Sequence, residues 1–118
     1  MSQAKIKSLE KDLGFKLQKK TSYSEFNESV CYLYIDNKVV GVNLRNSKLT
    51  YLPKAISGIE TIELLNLSDN QISDIQHIAK VKNLSCIYLN NNPLLDHSPI
   101  TRLPSLKQLY VNNAGVKD

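Results

Sequence analysis

Ile62-Glu-Leu-Leu65-Asn-Leu67-Ser-Asp-Asn70-Gln-Ile72 is an eleven-position phrase that returns twice, from Leu84 to Leu94 and from Leu106 to Val116. All three follow the pattern L-x-x-L-x-L-x-x-N-x-L, the last with Ala114 at the asparagine position, and a weaker copy precedes them at Val39, Val42, Leu44, Ser47 and Leu49. The first positions of the four copies lie 23, 22 and 22 residues apart. Chance apolar patterning hardly holds a period of this kind over four copies. Each copy is therefore one supersecondary unit that buries its apolar side only by stacking on its neighbours.

The phrase resembles the leucine-rich repeat. That resemblance implies an α/β solenoid with a parallel β-sheet on the concave face and short 3₁₀, helical or extended segments on the convex face, and it points to binding rather than chemistry. Asn70 to Leu84 and Asn92 to Leu106 are similar to the 22-residue repeats of internalins and of the protein phosphatase 1 regulatory family. Leu49 to Ile59 is closer to the 23-residue bacterial type. Ile6-Lys-Ser-Leu-Glu-Lys-Asp-Leu-Gly-Phe15, with Asp36-Asn-Lys-Val-Val-Gly-Val-Asn-Leu44, resembles the lead-in to the repeats of prokaryotic Roco proteins. Such proteins carry a GTPase domain after the repeats, but no G-x-x-x-x-G-K-[ST] occurs here, so nucleotide chemistry is not assigned to this chain.

The chain has 118 residues, 42% of them apolar, and no stretch approaches the roughly 18 consecutive apolar residues of a membrane span. Its first ten residues carry charges where a secretory signal places its apolar stretch, so a soluble cytoplasmic protein is expected. Cys31 and Cys86 show no C-x-x-C pairing and are read as two buried or half-buried thiols rather than a disulfide or metal site. The net charge of +4 resides in residues 1 to 20, where six lysines face Glu10 and Asp12, while the remaining nine bases and nine acids cancel. A nucleic-acid groove needs basic residues along its binding face. Here they precede the repeats, so the lysines are read as a solvated helix face and nucleic acid is not the expected partner.

Ile6, Leu9 and Leu13 make one stripe of a short helix from Ser2, its expected N-cap, to Leu13, and Gly14 is placed to end it. Ser22-Tyr-Ser-Glu25 has capping-box spacing and can open one helical turn near Phe26. Residues 30 to 35 and 38 to 44 alternate as two strands joined at Asp36-Asn37, the second being the strand of the first repeat. Residues 1 to 38 are thus expected to form an N-terminal cap of helix plus hairpin, with the hairpin's antiparallel strand on the outer edge of the sheet. Residues 39 to 118 divide into repeats 39 to 61, 62 to 83, 84 to 105 and the incomplete 106 to 118.

Positions four and six of each repeat should point inward: Val42 and Leu44, Leu65 and Leu67, Ile87 and Leu89, Leu109 and Val111. The return segments close the core with Leu49, Leu52, Ile56, Ile59, Ile72, Ile75, Ile78, Val81, Leu94, Ile100 and Leu103. At position nine, Asn70 and Asn92 suit a ladder of amides that both donate to and accept from turn backbone. Ser47 can do part of that work, and Ala114 none.

Positions three, five and seven face outward on the concave side, and strands about 4.8 Å apart set them in columns. Column three is Gly41, Leu64, Cys86, Gln108; column five is Asn43, Asn66, Tyr88, Tyr110; column seven is Arg45, Ser68, Asn90, Asn112. Asn43, Arg45, Leu64, Asn66, Tyr88, Asn90, Tyr110 and Asn112 are the candidate partner-binding residues, because aromatic area plus amide donors gives contact at low entropic cost. The competing reading is that Tyr88 and Tyr110 simply cover each other as a cross-strand pair. Tyr32 and Tyr34 are expected to extend the surface on the N-terminal side. Four strands span roughly 14 Å, too little for the roughly 800 Å² per partner of a standard interface, so a protein partner must use further surface.

The repeats stop before the fourth can complete its return, which favours a piece of a larger multidomain protein whose open C-terminal end can associate with itself. No cofactor or metal is implied, and no enzyme is expected. The one conceivable catalytic pair, Cys86 and His97, would join opposite faces of the repeats. His97 takes the slot of Ile75 and should be half-buried, whereas His77 should face solvent. The alternative function is an anion-binding segment that holds nucleic acid or an acidic membrane through the lysine-rich helix.

Overall fold

The computed structural model describes residues 2–114. Helix α1 (Ser2–Leu13) already includes Ser2, which was expected to cap it. Gly14 ends the helix at φ 84°, donating its N–H to Glu10 O at 2.8 Å. Ile6 and Leu9 are buried, so the apolar stripe of α1 is spent on the core. The Glu10 carboxylate then accepts the Leu17 N–H at 2.7 Å, turning the chain back toward the sheet.

One sheet of six strands follows in chain order: β1 (Gln18–Lys20), β2 (Cys31–Ile35), β3 (Lys38–Asn43), β4 (Leu64–Asn66), β5 (Cys86–Tyr88) and β6 (Gln108–Tyr110). β2 and β3 form the expected antiparallel hairpin, and the four strands from β3 onward run parallel. Asp36 and Asn37 both adopt left-handed backbone, at φ 52° and 66°, as a two-residue turn between twisted strands requires. The hairpin is not the outer edge, however. β1 pairs parallel to β2 and occupies that place, in a segment too polar and too short to read as a strand.

Columns three and five are in the expected register, with Gly41, Leu64, Cys86 and Gln108 aligned, and Asn43, Asn66, Tyr88 and Tyr110 aligned. Backbone pairing continues past the strands: Leu44, Leu67 and Leu89 donate to Asn66, Tyr88 and Tyr110 carbonyls at 2.7–2.8 Å. Short 3₁₀ turns at Lys54–Gly58, Gln76–Lys80 and Ser98–Arg102 make the return segments. The core runs between sheet and turns, and Val42, Leu44, Leu65, Leu67, Ile87 and Leu89 are each fully buried. Two inward positions depart from expectation: Leu109 in the last described strand is 43% exposed, and Val111 is only half-buried. Val116 and the rest of the last copy through Asp118, with the end expected to self-associate, lie outside the described residues.

The amide ladder is built by two residues. Asn70 Oδ1 accepts from Ser47 N and Leu49 N of the preceding copy, and its Nδ2 donates to Leu44 O, Leu67 O and Ser68 O. Asn92 Oδ1 accepts from Ile72 N, and its Nδ2 donates to Leu67 O, Leu89 O and Asn90 O. Ser47 joins no rung with its side chain: its hydroxyl bonds Arg45 O within its own turn, at an exposed site. At Ala114 the ladder stops, and Leu94 N turns to Asn92 O instead. Ala114→Asn is therefore expected to raise stability by about 1 kcal/mol, read as a higher urea midpoint. A midpoint unchanged or lowered would show that the fourth copy does not stack in register.

Candidate functional site

The segment between β1 and β2 lies over the concave side of the first repeat. A 3₁₀ turn at Tyr23–Glu25 delivers Phe26 into the space left by Gly41, where a Cβ would stand 2.9 Å from the ring. The Ser22 side chain makes no capping bond, so the turn forms without the expected box. Phe26 packs with Cys31, Leu33 and Val40 in a second small core, to which Leu64 adds a flank. Val40 reaches it through a bulge, since Leu33 pairs with Gly41 and Tyr34 with Val39.

This overlay changes the part assigned to several residues. Asn43 is 1% exposed and donates to Phe26 O and Ser29 O, so it ties down the overlying segment and is no contact residue. Leu64 is half-buried against the second core. Tyr32 and Tyr34 pack on the main core, not on the concave surface. The alternation that aims Cys31 and Leu33 at the concave side sends both tyrosines the other way.

The remaining candidates are brought together. Arg45, Asn66, Tyr88 and Asn90 line one polar cavity of about 370 Å³, joined by Asn27, Ser68, Asp69 and Asn91. Tyr88 and Tyr110 stack with ring centroids 4.6 Å apart and planes 7° from parallel, and Tyr110 remains 37% exposed. The two tyrosines do cover each other, and of the pair Tyr88 lines the cavity. Burial pushes the Tyr88 phenol upward, reinforced by Cys86 and Tyr110 and opposed by a hydrogen bond with Asn27. Asn112 is exposed beyond the cavity and donates its backbone N–H to Asn90 Oδ1 at 2.8 Å.

Position eight forms a second column that sequence reading passed over. Asn46, Asp69, Asn91 and Asn113 all take left-handed backbone, at φ between 53° and 61°. Asparagine and aspartate tolerate that conformation better than other residues with a side chain. Asn113 donates to Asn91, Asn91 to Asp69, and Arg45 Nε closes the row on Asp69 Oδ2 at 2.8 Å. The Asn91 and Arg45 bonds hold the Asp69 carboxyl below its ordinary value. The recurrence of Asn or Asp at the eighth position of all four copies was the available signal.

A larger cavity, about 430 Å³, lies between the end of α1 and the first two return segments, bounded by Asp12, Tyr51, Leu52, Pro53, Lys54, Asp74 and His77. His77 is half-buried there, not fully at the surface. His97 is half-buried as expected, its Nε2 3.5 Å from Ala114 O. Cys86 is 2% exposed with its thiol raised by burial, and burial lifts Cys31 to about 11. A raised thiol is the reverse of an activated nucleophile. Among the described residues no cluster of three metal-ligating side chains occurs, and no helix is long and apolar enough to cross a membrane.

No protein-family model matches the sequence, and no curated protein matches it. Solved structures do, among them internalin C2 of Listeria monocytogenes, with a TM-score of 0.55 over 90% of this chain. The fold is of the leucine-rich repeat type. Sequence identity to internalin C2 is 15%, so the likeness establishes the fold alone. This chain spans 46% of the length of that one. The Roco-like lead-in gains no support from this neighbour.

Proposed function

We propose that residues 39 to 118 form a leucine-rich repeat solenoid, capped by residues 1 to 38, that serves as a non-enzymatic protein-interaction module. The observation that carries this reading is the gathering of Arg45, Asn66, Tyr88 and Asn90 at one cavity beside the exposed Tyr110, on a face whose first repeat is already closed by Phe26. The binding surface is thereby confined to Arg45 and the second to fourth repeats. Two free, buried thiols suit a reducing compartment such as the cytoplasm. With Ile6 and Leu9 buried and Lys5, Lys7 and Lys11 exposed, the anion-binding alternative rests on charge alone, which salt dependence tests.

Capture of proteins from the cell by the immobilised chain tests the proposal. A partner should survive moderate salt and Lys→Gln changes at Lys5, Lys7 and Lys11. It should weaken at least about tenfold when Tyr88 and Tyr110 are both changed to alanine. Binding that collapses with salt and follows the lysines would instead establish the electrostatic alternative.

A further inference from the structure

Hydrogen-bonding capacity in the concave cavity is unevenly spent. Asp69 accepts from Asn91 with one oxygen and from Arg45 with the other. Asn66 Oδ1 accepts from Ser68 N, Asn90 Oδ1 from Asn112 N, Asn27 Oδ1 from Asn66 Nδ2, and Asn91 Oδ1 from Asn113 Nδ2. Every carboxylate and amide oxygen lining the cavity thus already accepts a bond. Donors are left with none: among the described residues neither Nη of Arg45 nor Nδ2 of Asn90 makes a hydrogen bond, and the Ser68 hydroxyl, accepting from Asn90 N at 3.1 Å, retains its proton. Arg45 presents these donors from a fixed base, since Nε is held by Asp69 and that carboxylate is itself anchored by Asn91.

Resting on the protein-binding reading above, we propose that this cavity captures a carboxylate of the bound partner, taken by the outer fork of Arg45 and flanked by Ser68 and Asn90. A guanidinium presents two parallel N–H groups on each edge, and a carboxylate matches the free edge with both oxygens. The charges of Arg45 and Asp69 cancel, so the preference for a carboxylate rests on the match of its two coplanar oxygens to the free guanidinium edge and not on net charge. The carboxylate belongs either to an aspartate or glutamate side chain or to a C-terminus, and both sources offer the same two oxygens.

Random peptides, displayed either internally or with free C-termini, are selected on the intact chain. The enriched peptides are then made again with Asp and Glu replaced by Asn and Gln, or with the C-terminus amidated. Acidic or C-terminal enrichment is expected, with one of the two neutralised forms binding at least about tenfold more weakly. The form that weakens identifies the source. Arg45→Gln and Arg45→Lys, at an exposed site where neither should disturb folding, are expected to erase the difference between acidic and neutral forms. Peptides that require Tyr88 and Tyr110 but bind equally in acidic and neutral forms would leave the interaction surface standing and overturn the carboxylate assignment. Failure to enrich any peptide would overturn both.

Discussion

Replacing Asn70 by alanine is expected to lower the unfolding free energy by about 3 kcal/mol or more, the largest loss from any polar residue in the chain. Asn70 is 6% exposed, and its one side chain serves the N–H groups of Ser47 and Leu49 and three carbonyls from two adjacent copies. Alanine leaves Ser47 N, Leu49 N and Leu44 O without partners, whereas Leu67 O keeps Asn92 Nδ2 and Ser68 O keeps Asn46 N, and each unsatisfied buried group costs about 1 to 3 kcal/mol before relaxation. Asn92→Ala should follow with a smaller loss, since it orphans Ile72 N and Leu89 O while Leu67 O keeps Asn70 Nδ2 and Asn90 O keeps Asp69 N. Ser47→Ala removes a single exposed bond to Arg45 O and should cost no more than about 0.5 kcal/mol. Urea unfolding of the three variants gives the order directly. An Asn70→Ala loss as small as that of Ser47→Ala would show that the amides do not join the copies.

The second large effect is expected in the core. Leu67→Ala should cost about 3 to 5 kcal/mol, because Leu67 is fully buried between the copies on either side and its cavity has little room to collapse. Leu109 occupies position four, an inward position like that of Leu67, but is 43% exposed at the edge of the described sheet. Leu109→Ala should therefore cost no more than about 1 kcal/mol. Equal losses at the two sites, measured by denaturant unfolding, would contradict the burial gradient along the repeats.

The repeat phrase made most of the sheet legible. Period and alternation together determine which strands neighbour one another and which residues share a column, and the register of Asn66 with Tyr88 and Tyr110 follows from counting alone. What stayed hidden was the segment from Gln18 to Ser29. It carries no periodic apolar signal, and its one large buried residue, Phe26, is placed by a gap at Gly41 that only the assembled hairpin creates. For that reason Asn43 read as a contact residue although it is a clamp, and Asn27 was missed from the cavity it helps to line. Tyr34 was misplaced for a different cause. Its face is set by the hairpin pairing, in which Tyr32 stands opposite the inward Val42 and alternation carries Tyr34 to the same side, and the repeat period says nothing of that pairing.

Amide hydrogen exchange on the isotopically labelled chain tests the stacking of residues 39 to 114 most directly. Exchange at the backbone N–H groups of Leu49 and Ile72, which lie in turns and donate only to the side chains of Asn70 and Asn92 in the following copy, should be slowed nearly as much as in the strands. In the Asn70→Ala variant, protection should vanish at Leu49 first and persist at Ile72. Exchange at both positions as fast as in exposed loops of the unmodified chain would contradict the account.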